Sequence, residues 1–306
     1  MDSIFAPDLW ILVTLAAAVL QTGRFMLQKH LATDTLSAGG ATFSRFLYSA
    51  PFIALLLPLY LGLSGQALPA LGPGFWLYGA MGGTAQIMAT VCVVLLFKQR
   101  NFAVGITFKK TEVIQTVLMG WIVLGEGVSG AGFSAIALGV VGLLLLSGGA
   151  EAKGLRLADL RNRAAGLGIA SGFLFAISAV CYRGASLAVV SDDPLLRAGV
   201  TLAAVVLMQT LIMAVWLRLR EPGQMRRVWA ARRVAVWIGL TSMGGSLCWF
   251  IAFTLQNAAY VKALGQVELM LSIAASTLFF RERISRREWA GMAVLALSIL
   301  ALVLAT

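Results

Sequence analysis

Apolar residues run along this chain in blocks of about 20, the length that carries a helix across a bilayer core, and charged residues, prolines and glycines close each block. The blocks predict ten spanning helices, at 9–30, 37–63, 74–97, 102–125, 131–149, 164–188, 194–220, 234–256, 260–280 and 287–305. The connections at 149–163 and 218–233 are too short to bury a core, so no soluble domain is expected. The acidic N-terminus and the long first block do not match a cleaved signal peptide.

One block occurs twice. The stretch from Asn101 to Ser129 returns 156 positions later, from Asn257 to Ser285, with five identities: Asn101/Asn257, Ala103/Ala259, Glu112/Glu268, Glu126/Glu282 and Ser129/Ser285. The same offset pairs Leu31 with Leu187 and Tyr60 with Trp216, so residues 8–149 form one five-helix repeat and 164–305 a second, joined by a basic linker at 150–163. Only the third helix slips, Gly82-Gly83 matching Gly244-Gly245. Five helices is an odd number, which turns the second repeat upside down.

Loop charge tests the inversion. Lys and Arg cluster in the odd-numbered connections, whereas the loop at 64–73 has none and its mate at 220–233 is crowded with them. Basic loops stay cytoplasmic, which predicts both termini outside the cytoplasm. The expected fold is an all-α integral membrane protein, ten transmembrane helices in two inverted five-helix repeats.

Composition agrees: 59% of residues are hydrophobic and 12% charged, with a mean hydropathy of +0.88. The formal charge of +11 reads as basic cytoplasmic loops, not a nucleic-acid surface. Cys92, Cys181 and Cys248 fall inside spans without metal-ligand spacing. No P-loop, HExxH, CxxC or GxSxG is present, and the lone His30 sits at a helix end. No enzyme and no cofactor are therefore expected, and the partners are the bilayer, a small-molecule substrate and protons.

A carboxylate in mid-span costs about 2.5–3.5 kcal/mol on insertion scales. Glu112 lies about 16 Å into its block, near half the thickness of the hydrocarbon core, and Glu268 lies equally deep from the other side. Both mark a midplane site for substrate and coupling ion. On a continuous helix, Lys109 and Gln115 share a face with Glu112 while Lys110 turns away. On the ninth helix Gly265, Glu268, Ser272 and Ser276 form a small-residue stripe. Arg24, Arg45, Arg183 and Lys262 are further cations within spans, with snorkelling to the headgroups competing at Arg24, Arg183 and Lys262. Several cations facing one cavity would favour an anionic group on the substrate.

Among neutral groups, Gln21, Gln86, Gln115 and Gln209 either recognise ligand or tie helices together. Trp10, Trp76, Trp237 and Trp289 lie near helix ends as interfacial anchors, whereas Trp121 and Trp249 are deeper, as cavity walls. Glu126 and Glu282 close their helices near the surface, and the pairs Gly79/Gly83, Gly168/Gly172 and Gly139/Gly142 mark close packing.

Two five-helix repeats, each ending its fourth helix in an apolar run plus glutamate (LGE at 124–126, FRE at 280–282) before a glycine-bearing fifth helix, resemble the EamA branch of the drug/metabolite transporter superfamily. The resemblance covers nearly the whole chain and implies a carrier of small molecules in a bacterial inner membrane. The charged KKTE at 109–112 departs from the generic pattern and disfavours a purely hydrophobic drug.

The expectation is a secondary transporter, an exporter of an amino acid or other carboxylate-bearing metabolite, with proton coupling left open by the sequence. Glu112 and Glu268 would couple, and Lys109, Arg45, Gln115, Gln86 and Trp249 would line the substrate site with them. An uptake carrier or exchanger for an organic anion or drug-like compound is the alternative, and a non-transporting sensor a more distant one.

Overall fold

The computed structural model describes residues 6–34, 36–97, 108–147, 163–271, 273 and 285–305. They form α1 (Ala6–Asp34), α2 (Ala38–Ser64), α3 (Phe75–Phe97), α4 (Glu112–Leu124), α5 (Gly130–Ser147) and α6 (Arg163–Leu187), then α7 (Pro194–Arg220), the short α8 (Gln224–Ala230), α9 (Arg232–Leu255), α10 (Ala258–Leu264) and α11 (Arg286–Leu304). Helices close their own backbone hydrogen bonds, which is what an apolar solvent demands. The fold is all-α, with one isolated bridge between Leu71 and Val189.

Seven of these helices, α1, α2, α3, α6, α7, α9 and α11, are long and apolar enough to cross a membrane, while α4 and the apolar stretch of α5 are shorter. The expected fourth span is interrupted within its described part. A turn at 110–111 precedes α4, and residues 98–107 lie outside the described residues. The ninth expected span is interrupted likewise by a turn at 265–266.

The helix ends follow local chemistry. Ser37 caps α2 by accepting from Gly40 N at 2.9 Å, and Asp193 with Pro194 starts α7. Ser285 and Glu288 form a capping box at α11, and Ser129 accepts from Gly132 N at 3.0 Å at the start of α5. The identity Ser129/Ser285 therefore has a local cause: each serine caps the helix that follows it.

Two ends of the bundle differ in charge. At one, Gly72 N donates to Ala188 O at 2.7 Å, Val190 N to Ala70 O at 3.0 Å, and Asn257 Nδ2 to Gly127 O at 3.3 Å. The loops so joined, 65–74, 125–129, 188–193 and 256–257, contain no Lys or Arg. At the other end Ser37 hydrogen-bonds Glu221, and Tyr48 hydroxyl donates to Val228 O at 3.3 Å, beside the arginine-rich α8.

Between the ends α3 packs along α6, α1 along α9, and α5 along α11. Gly79 and Gly83 of α3 face Val205 and Met208, and Gly139 and Gly142 of α5 face Ser298 and Leu295. Two tryptophan expectations are overturned. Trp10 is 2% exposed, inside the core. Trp121 is 66% exposed: nine residues after Glu112 is about two and a half turns, the opposite face of α4. Trp76, Trp237 and Trp289 stay exposed on the surface.

Candidate functional site

The two interruptions fall at equivalent places in the two copies, KKTE at 109–112 and GQVE at 265–268. Both are tightened by i→i−3 hydrogen bonds: Thr111 N to Phe108 O at 3.1 Å, and Gln266 N to Ala263 O at 3.2 Å with Glu268 N to Gly265 O at 3.1 Å. Each tight turn is followed by a fresh helical stretch whose first N–H groups lack intrahelical partners. Glu112 is the first residue of α4, where the helix dipole favours negative charge. Gly172 of α6 makes this possible, because a Cβ there would stand 2.9 Å from Lys109 O.

Glu112 is 3% exposed and bridges two lysines. Lys109 Nζ stands 3.1 Å from Oε2 and Lys262 Nζ stands 2.6 Å from Oε1. Lys262 comes from α10, so the ion pair ties the two copies of the repeated stretch together. Its ammonium also lies 4.9 Å from the Trp249 ring and 5.6 Å from Phe175, while Lys109 lies 5.1 Å from Phe175. Glu268 accepts from Gln21 Nε2 at 2.8 Å, and Gln21 Oε1 in turn accepts from Trp249 Nε1 at 3.1 Å.

Lys110, expected to turn away from Glu112, borders the same narrow chamber as Lys109, Glu112, Lys262 and Glu268. The break re-aims it: it is 7% exposed and makes no hydrogen bond or ion pair among the described residues. A second narrow chamber shares Gln21, Phe175, Trp249 and Lys262 with the first and adds Arg24, Arg45, Gln86 and Tyr182. Each has room for a water or two in this conformation.

Arg24 does not snorkel; it is 3% exposed and donates to Gln28 Oε1 at 3.0 Å. Arg45 is held by hydroxyls, Ser242 at 2.7 Å, Thr90 at 3.3 Å and Ser246 at 3.3 Å. Gln86 Oε1 accepts from Tyr182 hydroxyl at 3.0 Å and from Gln209 Nε2 at 2.9 Å, tying α3, α6 and α7 together at the chamber wall. Gln115 lies apart from both chambers, against Gly172, and its buried Oε1 accepts no hydrogen bond among the described residues. Arg183 also belongs elsewhere. It pairs with Glu126 at 2.7 Å and donates to Phe253 O and Gln256 O at the lysine-free end. The expected stripe members Ser272 and Ser276, and Glu282, lie outside the described residues, as does the side chain of His30.

Of the expected site residues, Glu112, Lys109, Arg45, Gln86, Glu268 and Trp249 line the two chambers and Gln115 does not. Lys262 and Arg24 are more central than their distance from helix ends suggested. The pairing of Lys262 with Glu112 gave no signal in the sequence, since the contact crosses the halves. Gly265 at the position of Lys109 was the one clue that the helix breaks there.

Apolar helices around a buried charged centre, seven of them long enough to span, define a multi-pass membrane protein. The model of the EamA-like transporter family, a branch of the drug/metabolite transporters, matches residues 162–304, and that stretch of the chain is similar to this family. The match implies a membrane transporter of the drug/metabolite type. No curated protein matches the sequence. A solved crystal structure of 16% identity superposes with a TM-score of 0.70, covering 97% of this chain and 97% of its own, and that likeness speaks to the fold alone.

Proposed function

We propose that this protein is a secondary active exporter of a carboxylate-bearing metabolite, an amino acid or another organic acid, working by alternating access in a bacterial inner membrane. The observation that carries the reading is the charge of the two chambers. Arg24, Arg45, Lys109, Lys110 and Lys262 face only Glu112 and Glu268 among their lining residues. Buried charge without a counter-ion is costly, so an anion is the complementary ligand.

Ten spans in two inverted repeats, 8–149 and 164–305, are the architecture behind it. Three facts support that reading: the equivalent breaks, the pairing of α3 with α6 beside that of α1 with α9, and the self-pairing of α5 with α11. Under the repeat, α3 corresponds to α9 and α6 to α1, so the two pairings are one contact seen from both sides. Interrupted helices at matched positions are the usual signature of a midplane binding site. With the arginine-rich end cytoplasmic, both termini lie outside the cytoplasm. Export is our choice of direction, since the resemblance implies exporters and exchangers alike.

In this mechanism the substrate carboxylate competes with Glu112 for Lys109 and Lys262. Occupancy releases the tie between the two copies, and the freed Glu112 takes up a proton, which couples transport to the gradient. Trp249 and Phe175 close the chamber around the bound acid. The test is uptake of radiolabelled amino and organic acids into proteoliposomes with and without a pH gradient, native against Glu112→Gln. Gradient-driven accumulation abolished in the variant is expected. Transport that keeps its pH dependence in Glu112→Gln removes Glu112 from the coupling step.

A further inference from the structure

The second chamber holds more positive charge than one carboxylate requires. Arg24 and Arg45 are 3% and 4% exposed, and both line this chamber. Neither pairs with a carboxylate among the described residues. The partners of Arg45 are three neutral hydroxyls, from Ser242, Thr90 and Ser246. These fix the guanidinium plane from α3 and α9 and leave its charge uncompensated. Arg24 is aimed by Gln28 and lies with its guanidinium carbon 4.2 Å from the Phe25 ring centre. Most of its N–H groups are without acceptors among the described residues.

A guanidinium presents a rigid fork of donors suited to a two-oxygen head, and two such forks around one chamber form an oxyanion cradle. Tyr182 and Gln86 add polar groups at its edge. Lys109 and Lys110 line the other chamber, and Lys262, Phe175 and Trp249 line both. Trp249 stacks on Phe253 at 5.7 Å, extending the apolar wall.

Building on the carboxylate-transport reading, we infer that the second chamber is a subsite for a second acidic group. Arg24 and Arg45 hold one carboxylate or phosphate-like head while Lys109 and Lys262 hold the other. The cargo is then a diacid with a short apolar middle lying along Phe175 and Trp249. A purely structural role for the arginines would tie α1, α2, α3 and α9 together without distinguishing one acid from two.

The experiment measures binding of butyrate, glutarate and 4-phosphonobutyrate to the full chain in lipid nanodiscs, by calorimetry and by ligand-induced shift in Tm. Glutarate is expected to bind native protein at least about tenfold more tightly than butyrate. A further gain or loss with 4-phosphonobutyrate tells a phosphate head from a carboxylate head. Arg24→Gln and Arg45→Gln should each pull the glutarate-to-butyrate ratio toward one, and Arg24→Lys and Arg45→Lys, which keep the charge, should retain part of it. The native ratio requires no variant, so a variant that does not fold leaves the question decidable. Equal affinity of native protein for butyrate and glutarate, or a ratio untouched in both Gln variants, overturns the diacid subsite alone. Absence of binding by any of the three acids overturns the carboxylate reading as well.

Discussion

The break before Glu112 and the break before Glu268 share a backbone plan and differ in what they present. At the first, Lys109 and Lys110 precede the glutamate, and its carboxylate is clamped by Lys109 and Lys262 at 3.1 and 2.6 Å. At the second, Gly265 and Gln266 take the places of the lysines, and Glu268 accepts from the neutral amide of Gln21 at 2.8 Å. Gly265 packs under the Trp249 indole, where the first break packs its own backbone against Gly172. A repeated turn thus builds two different environments: one holds charge against charge, the other holds a carboxylate beside an aromatic wall.

The largest expected difference between the two glutamates is in stability. Glu112→Leu removes the partner of two lysines at once and should cost about 3–5 kcal/mol. Glu268→Leu removes a carboxylate from an amide and should cost about 1–3 kcal/mol. Denaturant unfolding in detergent micelles measures both, and equal losses would mean that the lysine clamp contributes nothing specific.

The glycines beside the breaks separate them next. Gly172→Ala drives a methyl to 2.9 Å from the carbonyl of Lys109, and Gly265→Ala drives one to 2.4 Å from the outer edge of the Trp249 ring. Each should destabilise by about 1–3 kcal/mol. Only the second has a side chain that can yield. Trp249→Phe should therefore restore most of the loss from Gly265→Ala and none of that from Gly172→Ala, and the absence of that rescue in a double-mutant cycle would contradict the packing described.

The smallest effect lies away from both breaks, at Asp193, the cap of α7. Burial alone would raise its carboxyl, but hydrogen bonds from Tyr60 (2.5 Å), Gln66 and the backbone of Leu195 and Leu196 hold it below the ordinary value of 3.8. Its folded-state value is depressed, so its contribution is complete above the unfolded value near 3.8 and is lost as pH falls through the folded one. Asp193→Ala should cost about 0.5–2 kcal/mol at neutral pH, and the difference from native protein should shrink below pH 4. A pH-independent difference would leave the carboxylate without a role in the cap.

Much of the fold was legible. Apolar blocks gave the helices that span, since a bilayer leaves a chain segment few alternatives. The repeat at an offset of 156 paired Glu112 with Glu268, and the structure places a turn shortly before each, at 110–111 and at 265–266. What failed was helical phase and continuity. Treating 102–125 as one helix put Lys110 off the face of Glu112, and the turn at 110–111 brings it to the same chamber; Gln115 stays one turn from Glu112 on α4 but packs against Gly172 instead of lining that chamber. Trp10 and Trp121 exchanged their expected surroundings for the same reason: depth is readable from a sequence position, and which neighbour covers a face is not.

The sequence by itself determined a membrane-spanning all-α chain, the positions of its deep carboxylates and an excess of cations within apolar runs, because each follows from local composition and the cost of charge in hydrocarbon. Tertiary structure alone decided which charges meet. Lys262 reaches Glu112 from 150 positions away, and Arg45 is oriented by Ser242 and Ser246 nearly 200 positions on. Such contacts depend on how the helices pack and where two of them break, and no periodicity along a single segment records that.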